Sequence, residues 1–307
     1  VSFKSFDFVK HRNIFFGLSI TLTILGIISL IFLRLNLGID FASGTRVDIM
    51  AKHAISIDKV TATLDHLGLK YERPTLSGSE HNIASVRLPK VLDHQEVAQV
   101  KAAFKKAFGV DPSVSTVSPQ IGRDLAKNAF WAVLISSLFI IVYVWIRFEF
   151  LQGLAAIIAL LHDAFFIITV FSLLHIEVNI IFIAAVLTII GYSINDTIVT
   201  FDRIRENMRL RKKKIKTFDE LAELVNTSIR QTIVRSINTV MTVLLTVVAL
   251  MIFGSTEIRT FTIALFVGLI CGCYSSIFIA SPLWAVLKFK YITRERKKGK
   301  KSAESLT

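Results

Sequence analysis

Thr188–Asn207, TIIGYSINDTIVTFDRIREN, is the stretch on which the reading of this chain turns. It opens as membrane-grade apolar sequence, admits Tyr192, Ser193, Asn195 and Asp196, and becomes apolar again at Ile198 and Val199. Asp202-Arg203-Ile204-Arg205-Glu206 then belongs in water. A carboxylate inside a span costs about 2.5–3.5 kcal/mol on insertion scales, so such residues face a bundle interior and mark ion or substrate pathways. Asp196 is therefore read as a proton-handling group in a transporter.

Working outward, the composition supports a membrane setting. Of 307 residues 53% are hydrophobic and 19% charged. Several apolar runs reach the ~20 helical residues that cross a ~30 Å hydrocarbon core. Six spans are expected: Ile14–Leu33, Phe130–Ile146, Gly153–Leu174, Ile180–Phe201, Ile233–Phe253 and Phe261–Leu287, the last tilted or bent at Pro282. No cleavable signal peptide is expected, because the first span is too long and lacks a clear small-residue cleavage site. A start at Val1 fits either an alternative start codon or a piece of a longer fused polypeptide.

The net charge of +13 does not point to nucleic acid, because it is concentrated beside the spans. Ten Lys and Arg residues lie between Arg203 and Arg235, and eight between Lys288 and Lys301. Basic segments flanking spans mark cytoplasmic loops and attract anionic lipid head groups. Residues 1–13, the loop 202–232 and the tail 288–307 are accordingly placed in the cytoplasm, with both termini on that side. The short loops His175–Asn179 and Gly254–Thr260 carry only Arg259 and fall on the other side. In the cytoplasmic loop, Thr217-Phe218-Asp219-Glu220 fits a capping box with Glu220 reaching back to Thr217. It opens a helix expected to lie along the inner face and lead into the fifth span.

Between the first and second spans, residues 34–128 form a polar external segment. Arg46–Met50 and Ile83–Leu88 alternate as half-buried strands. Ile57–Leu67 and His94–Phe108 have helical apolar spacing, closed by Gly68 and Gly109. Strand, helix, strand, helix implies a small α+β domain of the ferredoxin-like kind. The fold class is thus a polytopic α-helical membrane protein with six spans and this inserted domain.

Asp163 in the third span and Arg235 at the start of the fifth join Asp196 as candidate proton-transport residues. Asp196 is six residues before Asp202, which puts it ~9 Å inside the boundary at ~1.5 Å per residue. The fourth and fifth spans run in opposite directions, so Asp196 and Arg235 can meet at similar depth and offset each other's desolvation. Asp163 lies near the midplane. Snorkelling of Arg235 to the head groups, or a purely structural Asp163, are the alternatives. Ser193, Asn195 and Thr197 form a supporting polar patch. Burial works against a charged carboxylate and an adjacent guanidinium works for it, so a site where the two compete can load and unload protons. Cys271 and Cys273 are two residues apart and point to nearly opposite sides of a helix, so they are read as packing residues, with no metal site or mutual disulfide.

Gly191–Thr197 followed by Asp202–Asn207 resembles the fourth-span signature of the SecF family of bacterial protein-export membrane proteins, within the resistance-nodulation-division superfamily. Arg235-Ser236-Ile237-Asn238-Thr239 is similar to the opening of that family's fifth span, and Leu161-His162-Asp163 to its third-span motif. Gly38-Ile39-Asp40-Phe41-Ala42-Ser43-Gly44 resembles a Gly-Ile-Asp-Phe-x-Gly-Gly element, with Ser43 in place of one glycine. Gly38, Asp40 and Gly44 would then mark the junction with the external domain. Val117-Ser118-Pro119-Gln120-Ile121-Gly122 resembles the segment entering the second span.

The resemblance implies an auxiliary subunit of the Sec translocase in the bacterial cytoplasmic membrane, driving late, proton-motive-force-dependent preprotein export. It implies SecD as a separate or fused partner, with the SecYEG channel, YajC, a YidC-like insertase and translocating preproteins as further partners. Protons are the coupling ion, and no cofactor or enzymatic activity is expected. Two other functions fit the residues alone: a transporter half moving a lipid or small molecule by proton antiport, and a scaffold that only stabilises the translocase.

Overall fold

The computed structural model describes residues 6–78, 81–211 and 215–304, the last eight by backbone only. Lys4 and Lys212–Lys214 of the basic segments, with the end of the 288–307 tail, lie outside the described residues.

Six helical stretches are long and apolar enough to cross a membrane. They are α1 (Arg12–Phe32), α5 (Pro119–Arg147), α6 (Phe150–Leu173), α7 (Ile180–Leu210), α8 (Phe218–Phe253), and α9 (Arg259–Ser275) continuing into α10 (Ser281–Glu304). α7 and the α9–α10 span are the most buried, whereas α1, α5 and α8 expose most of their apolar windows. The centre of the bundle is therefore built on α6, α7 and α9, with the other helices around it.

Small residues set the closest crossing. A Cβ built on Gly268 would stand 2.4 Å from Ile189 Cδ1, and one on Gly272 would stand 3.1 Å from Ser193 Cβ. Gly268, Gly272 and Ser276 recur every four residues on one face, the small-xxx-small spacing that lets membrane helices approach. α7 can thus bring a polar patch against α9 without an intervening layer of large side chains.

Three spans differ from expectation in form. The bend expected at Pro282 is a π-helical turn, Ser276–Ala280, just before it. Proline has no N–H for an i−4 bond and its ring crowds that carbonyl, so the widened turn absorbs the misfit. The helix opened by Thr217 is not separate from the fifth span: α8 is one helix of 36 residues that includes both. Its apolar stripe Leu221, Leu224, Val225 and Ile229 packs with Phe8, Val9 and Trp284. Thr217 Oγ1 caps the helix by accepting from Glu220 N at 3.3 Å, and the Glu220 carboxylate reaches back to accept from Lys216 N at 2.8 Å. The second span starts at Pro119, eleven residues before the expected Phe130, because Ser118 caps it through Ile121 N.

The inserted segment has a four-stranded antiparallel sheet of order β3-β4-β2-β5. The strands are β2 (Gly44–Met50), β3 (Thr75–Ser77), β4 (Ile83–Leu88) and β5 (Ser113–Val117). α3 (Ile57–His66) and α4 (His94–Phe108) cover one face, where Val47, Ile49, Val86, Leu88, Leu64 and Phe104 form the core. The alternation read in β2 and β4 is present: Ala84, Val86 and Leu88 point inward, and Ser85 and Arg87 do not. α4 also carries a capping box between Asp93 and Glu96.

A second sheet joins this domain to the bundle. β1 (Asn36–Leu37) runs parallel to β6 (Glu177–Val178), in the loop between α6 and α7. A four-residue helix, α2 (Ile39–Ala42), follows β1 and leads straight into β2. The domain and the 175–179 loop therefore share one end of the bundle. At the other end Arg230 donates to Phe6 O and Arg296 donates to Ile215 O and Lys216 O, which brings both ends of the described chain together.

Candidate functional site

On α7, Ser193, Asp196, Thr197 and Thr200 are buried and fall at helical spacing on one face. Tyr192 and Asn195 are exposed. The expected polar patch therefore divides: Ser193 and Thr197 turn into the bundle, and Asn195 lies at the rim of a cavity.

Asp163 on α6 is almost fully enclosed, at 2% exposure. Its Oδ2 accepts from Ser193 Oγ at 2.6 Å and from Ser275 Oγ at 2.7 Å. Its Oδ1 meets Cys271 Sγ at 3.3 Å and His162 Nδ1 at 3.2 Å. Both oxygens of the carboxyl are thus engaged, by side chains from three helices. A buried carboxyl supported in this way ties α6, α7 and α9 together, and removing it would leave several buried donors unpaired. The ligand-type atoms of His162, Asp163 and Cys271 all lie within 4.8 Å of one another. Within this group Cys271 Sγ also lies 3.9 Å from His162 Nδ1.

Asp196 has a different setting. It borders a cavity of about 120 Å³ lined also by Tyr192, Arg235, Ser236, Thr239 and Cys273. Its Oδ2 is buried without a hydrogen-bond partner among the described residues, as is Ser236 Oγ. Ser236 and Ser276 are the hydroxyls beside the carboxyl, and Arg235 is the nearby positive charge. A polar cavity of this size has room for several water molecules. Asp196 and Arg235 share the cavity but form no ion pair: Arg235 is exposed on α8 and Asp196 is buried on α7. The two side chains line one cavity, and the direct charge pairing expected between them is not formed.

Hydroxyls connect the two acids. Ser193, bonded to Asp163, also lines the Asp196 cavity. Thr197 Oγ1 lies 2.8 Å from Ser276 Oγ, which stands beside Asp196.

The junction residues gather at the far end of α7. Asp40 Oδ2 accepts from Ile180 N, the first residue of that helix, at 2.9 Å. Gly38 N donates to Val178 O at 2.8 Å, and a Cβ on Gly38 would stand 2.4 Å from Glu177 Oε1. Gly44 takes φ +128° against Leu88 O. Ser43 holds φ 58°, a conformation that favours glycine.

The profile described as "Protein export membrane protein SecD/SecF, C-terminal" matches residues 98–290, and that described as "SecD/SecF GG Motif" matches residues 28–55. The chain belongs to the SecD/SecF family. It is 41% identical to protein translocase subunit SecF of Alicyclobacillus acidocaldarius, over 97% of each chain. It is 50% identical to protein translocase subunit SecDF of Bacillus subtilis (strain 168), over 95% of this chain and 40% of that relative. Among solved structures, SecDF from Thermus thermophilus superposes with a TM-score of 0.83 at 34% identity, covering 93% of this chain and 39% of the other. The chain thus spans about two fifths of the SecDF proteins it matches and nearly all of the SecF relative.

In this SecD/SecF-family chain, Cys271, Cys273, Ser236, Ser275 and Ser276 were not anticipated as site residues. Cys271 touches Asp163 and Cys273 lines the Asp196 cavity, so both do more than fill space. The four-residue repeat of small side chains from Gly268 to Ser276 was the signal that could have found this face of α9.

Proposed function

We propose that this chain is an auxiliary subunit of the Sec translocase that acts with SecD to couple proton flow to late preprotein export. The observation that carries the reading is Asp196: a buried carboxyl with an oxygen that has no partner among the described residues, in a cavity shared with Arg235. Groups poised in this way in a membrane bundle belong to ion pathways. Asp163 serves as the second acid, linked to the first through Ser193.

SecD as partner is supported by the exposed polar face of α8. Arg235, Asn238, Thr239, Thr242 and Thr246 are all exposed on a membrane-spanning helix. Polar and ionisable groups at that depth face protein or a water-filled cavity rather than lipid, and a second six-span unit would supply that cover. The SecDF relatives, in which such sequence is part of one longer protein, agree with this pairing. SecYEG, YajC, a YidC-like insertase and preproteins complete the proposed set of partners.

Basic segments near the end holding Phe6, Arg211 and Arg296 support a cytoplasmic position for that end in a bacterial cell. The sheet domain then lies outside the cytoplasmic membrane. Its β-α-β-β-α-β order, with β2 and β4 central, supports a ferredoxin-like reading. A transporter half for lipids or small molecules is less well supported, since the cavity at Asp196 is well below the ~300–1,000 Å³ of ligand pockets.

Asp196→Asn keeps the shape of the side chain and removes its titration. In membranes assayed with and without a proton gradient, it should abolish gradient-stimulated export while co-purification with SecD is unchanged. Full stimulation in that variant would remove the proton role.

A further inference from the structure

We infer that Asp40 is a positioning residue for Asp196: it caps the first turn of α7 and so ties the base of the sheet domain to the helix that carries the proton site. The inference rests on the proton reading of Asp196 and adds a residue at the opposite end of its helix.

The first N–H groups of a helix have no partner within it, and an anion is favoured at that end. On α7 these positions are filled from two directions. Asn179 accepts from Phe182 N at 3.0 Å, an ordinary local cap. Ile180 N is taken by Asp40, 140 residues away in sequence, at 2.9 Å. Asp40 forms no ion pair among the described residues, so the α7 terminus is its one assigned partner.

Asp40 is itself held on three sides. β1–β6 pairing fixes the chain before it, with Gly38 N bonded to Val178 O. α5 meets it from another side: a Cβ on Gly122 would stand 3.4 Å from Asp40 O and 3.6 Å from Ser43 N. After it, Gly44 opens β2, which pairs with both β4 and β5. Arg46, two residues into that strand, lies 3.8 Å from Glu177, and Arg87 of β4 donates to Leu37 O. The four-stranded sheet, the β1–β6 pair and the first turn of α7 are thus joined by contacts around Asp40. Asp196 is sixteen residues further along a continuous helix, ~24 Å at ~1.5 Å per residue. A shift or tilt at the capped end therefore changes where Asp196 stands relative to Arg235 on α8, and proton loading at Asp196 can move the sheet by the same path.

The test uses the full chain with its native export machinery in membranes, comparing Asp40→Ala, Asp40→Asn and Asp196→Asn. Asp40→Asn keeps an acceptor for Ile180 N and should stay within about threefold of wild type, with the same pH profile of gradient-dependent export. Asp40→Ala should lose at least about tenfold per assembled molecule and shift that profile. A disulfide between Leu37→Cys and Val178→Cys, which are register partners, should restore export to Asp40→Ala when oxidised and lose it again on reduction. Where Asp40→Ala alone does not accumulate, the oxidised double-cysteine form of it is measured, and loss of export at normal protein levels overturns the inference. So does Asp40→Ala with unchanged export per molecule and an unchanged pH profile. Asp196→Asn separates the two levels: if it is inactive while Asp40→Ala is normal, only the positioning role fails, whereas gradient-dependent export in Asp196→Asn overturns the proton reading and this inference with it.

Discussion

Ser43 shows how a single side chain can carry backbone strain at a junction. Its φ of 58° with ψ 168° falls in a region that is close to glycine-only. The surroundings hold it there: Ser43 N donates to Ile39 O, and Gly44 begins the central strand of the sheet. Ser43→Gly removes the clash at Cβ and loses some chain entropy on folding, effects of opposite sign. The strain is the larger, so we expect a gain of up to about 1 kcal/mol, read as a higher midpoint in thermal unfolding of the detergent-solubilised chain. The two acids teach a related lesson. Asp163 is bonded through both oxygens and Asp196 is not, although each is a carboxylate within a membrane-length apolar stretch. Their sequence contexts hinted at this only weakly, because the partners of Asp163 are spread over α6, α7 and α9.

Among the elements, the α7–α9 contact organises the site and is the least tolerant of added volume. Gly268→Val would place a branched side chain where Ile189 Cδ1, Cγ1 and Cγ2 all lie within 2.7 Å of the new Cβ. Overpacking of this kind costs about 1–3 kcal/mol, so the variant should unfold at a lower temperature. Separating α7 from α9 should also weaken gradient-dependent export. The elements themselves were largely legible. Ile57–Leu67 and His94–Phe108 were read within a residue or two of α3 and α4, because apolar periodicity and a closing Gly are local signals. β1, β6 and the short β3 were not read, since two or three residues have no period and their pairing is decided by distant chain. The continuity of α8 was missed for a similar reason. A capping box marks where a helix begins, but whether it bends at the membrane boundary depends on what it packs against, here Phe8, Val9 and Trp284.

For the whole molecule, the decisive boundary is the one between the sheet domain and the bundle. Glu177 sits in it, and burial pushes its carboxyl above the usual range, opposed by Arg46 and Arg87 and reinforced by Asp40 and Asp48. A group whose folded value is raised adds stability below its unfolded value and loses that contribution as pH rises through the folded value. Wild-type protein should therefore lose stability across that window. Glu177→Gln, which cannot ionise, should show a flatter dependence, and the two curves should converge at acid pH. Thermal unfolding followed over a pH series checks this; parallel curves would mean that Glu177 is not the titrating group.

Cys271 and Cys273 are the chain's two thiols, and each stands at a different acid: one against Asp163, the other on the wall of the Asp196 cavity. The molecule therefore carries its own pair of chemical handles. A small thiol reagent should label Cys273, on the cavity wall, before Cys271, which is buried against the Asp163 carboxyl. The two acid environments can in this way be followed separately in the unaltered protein.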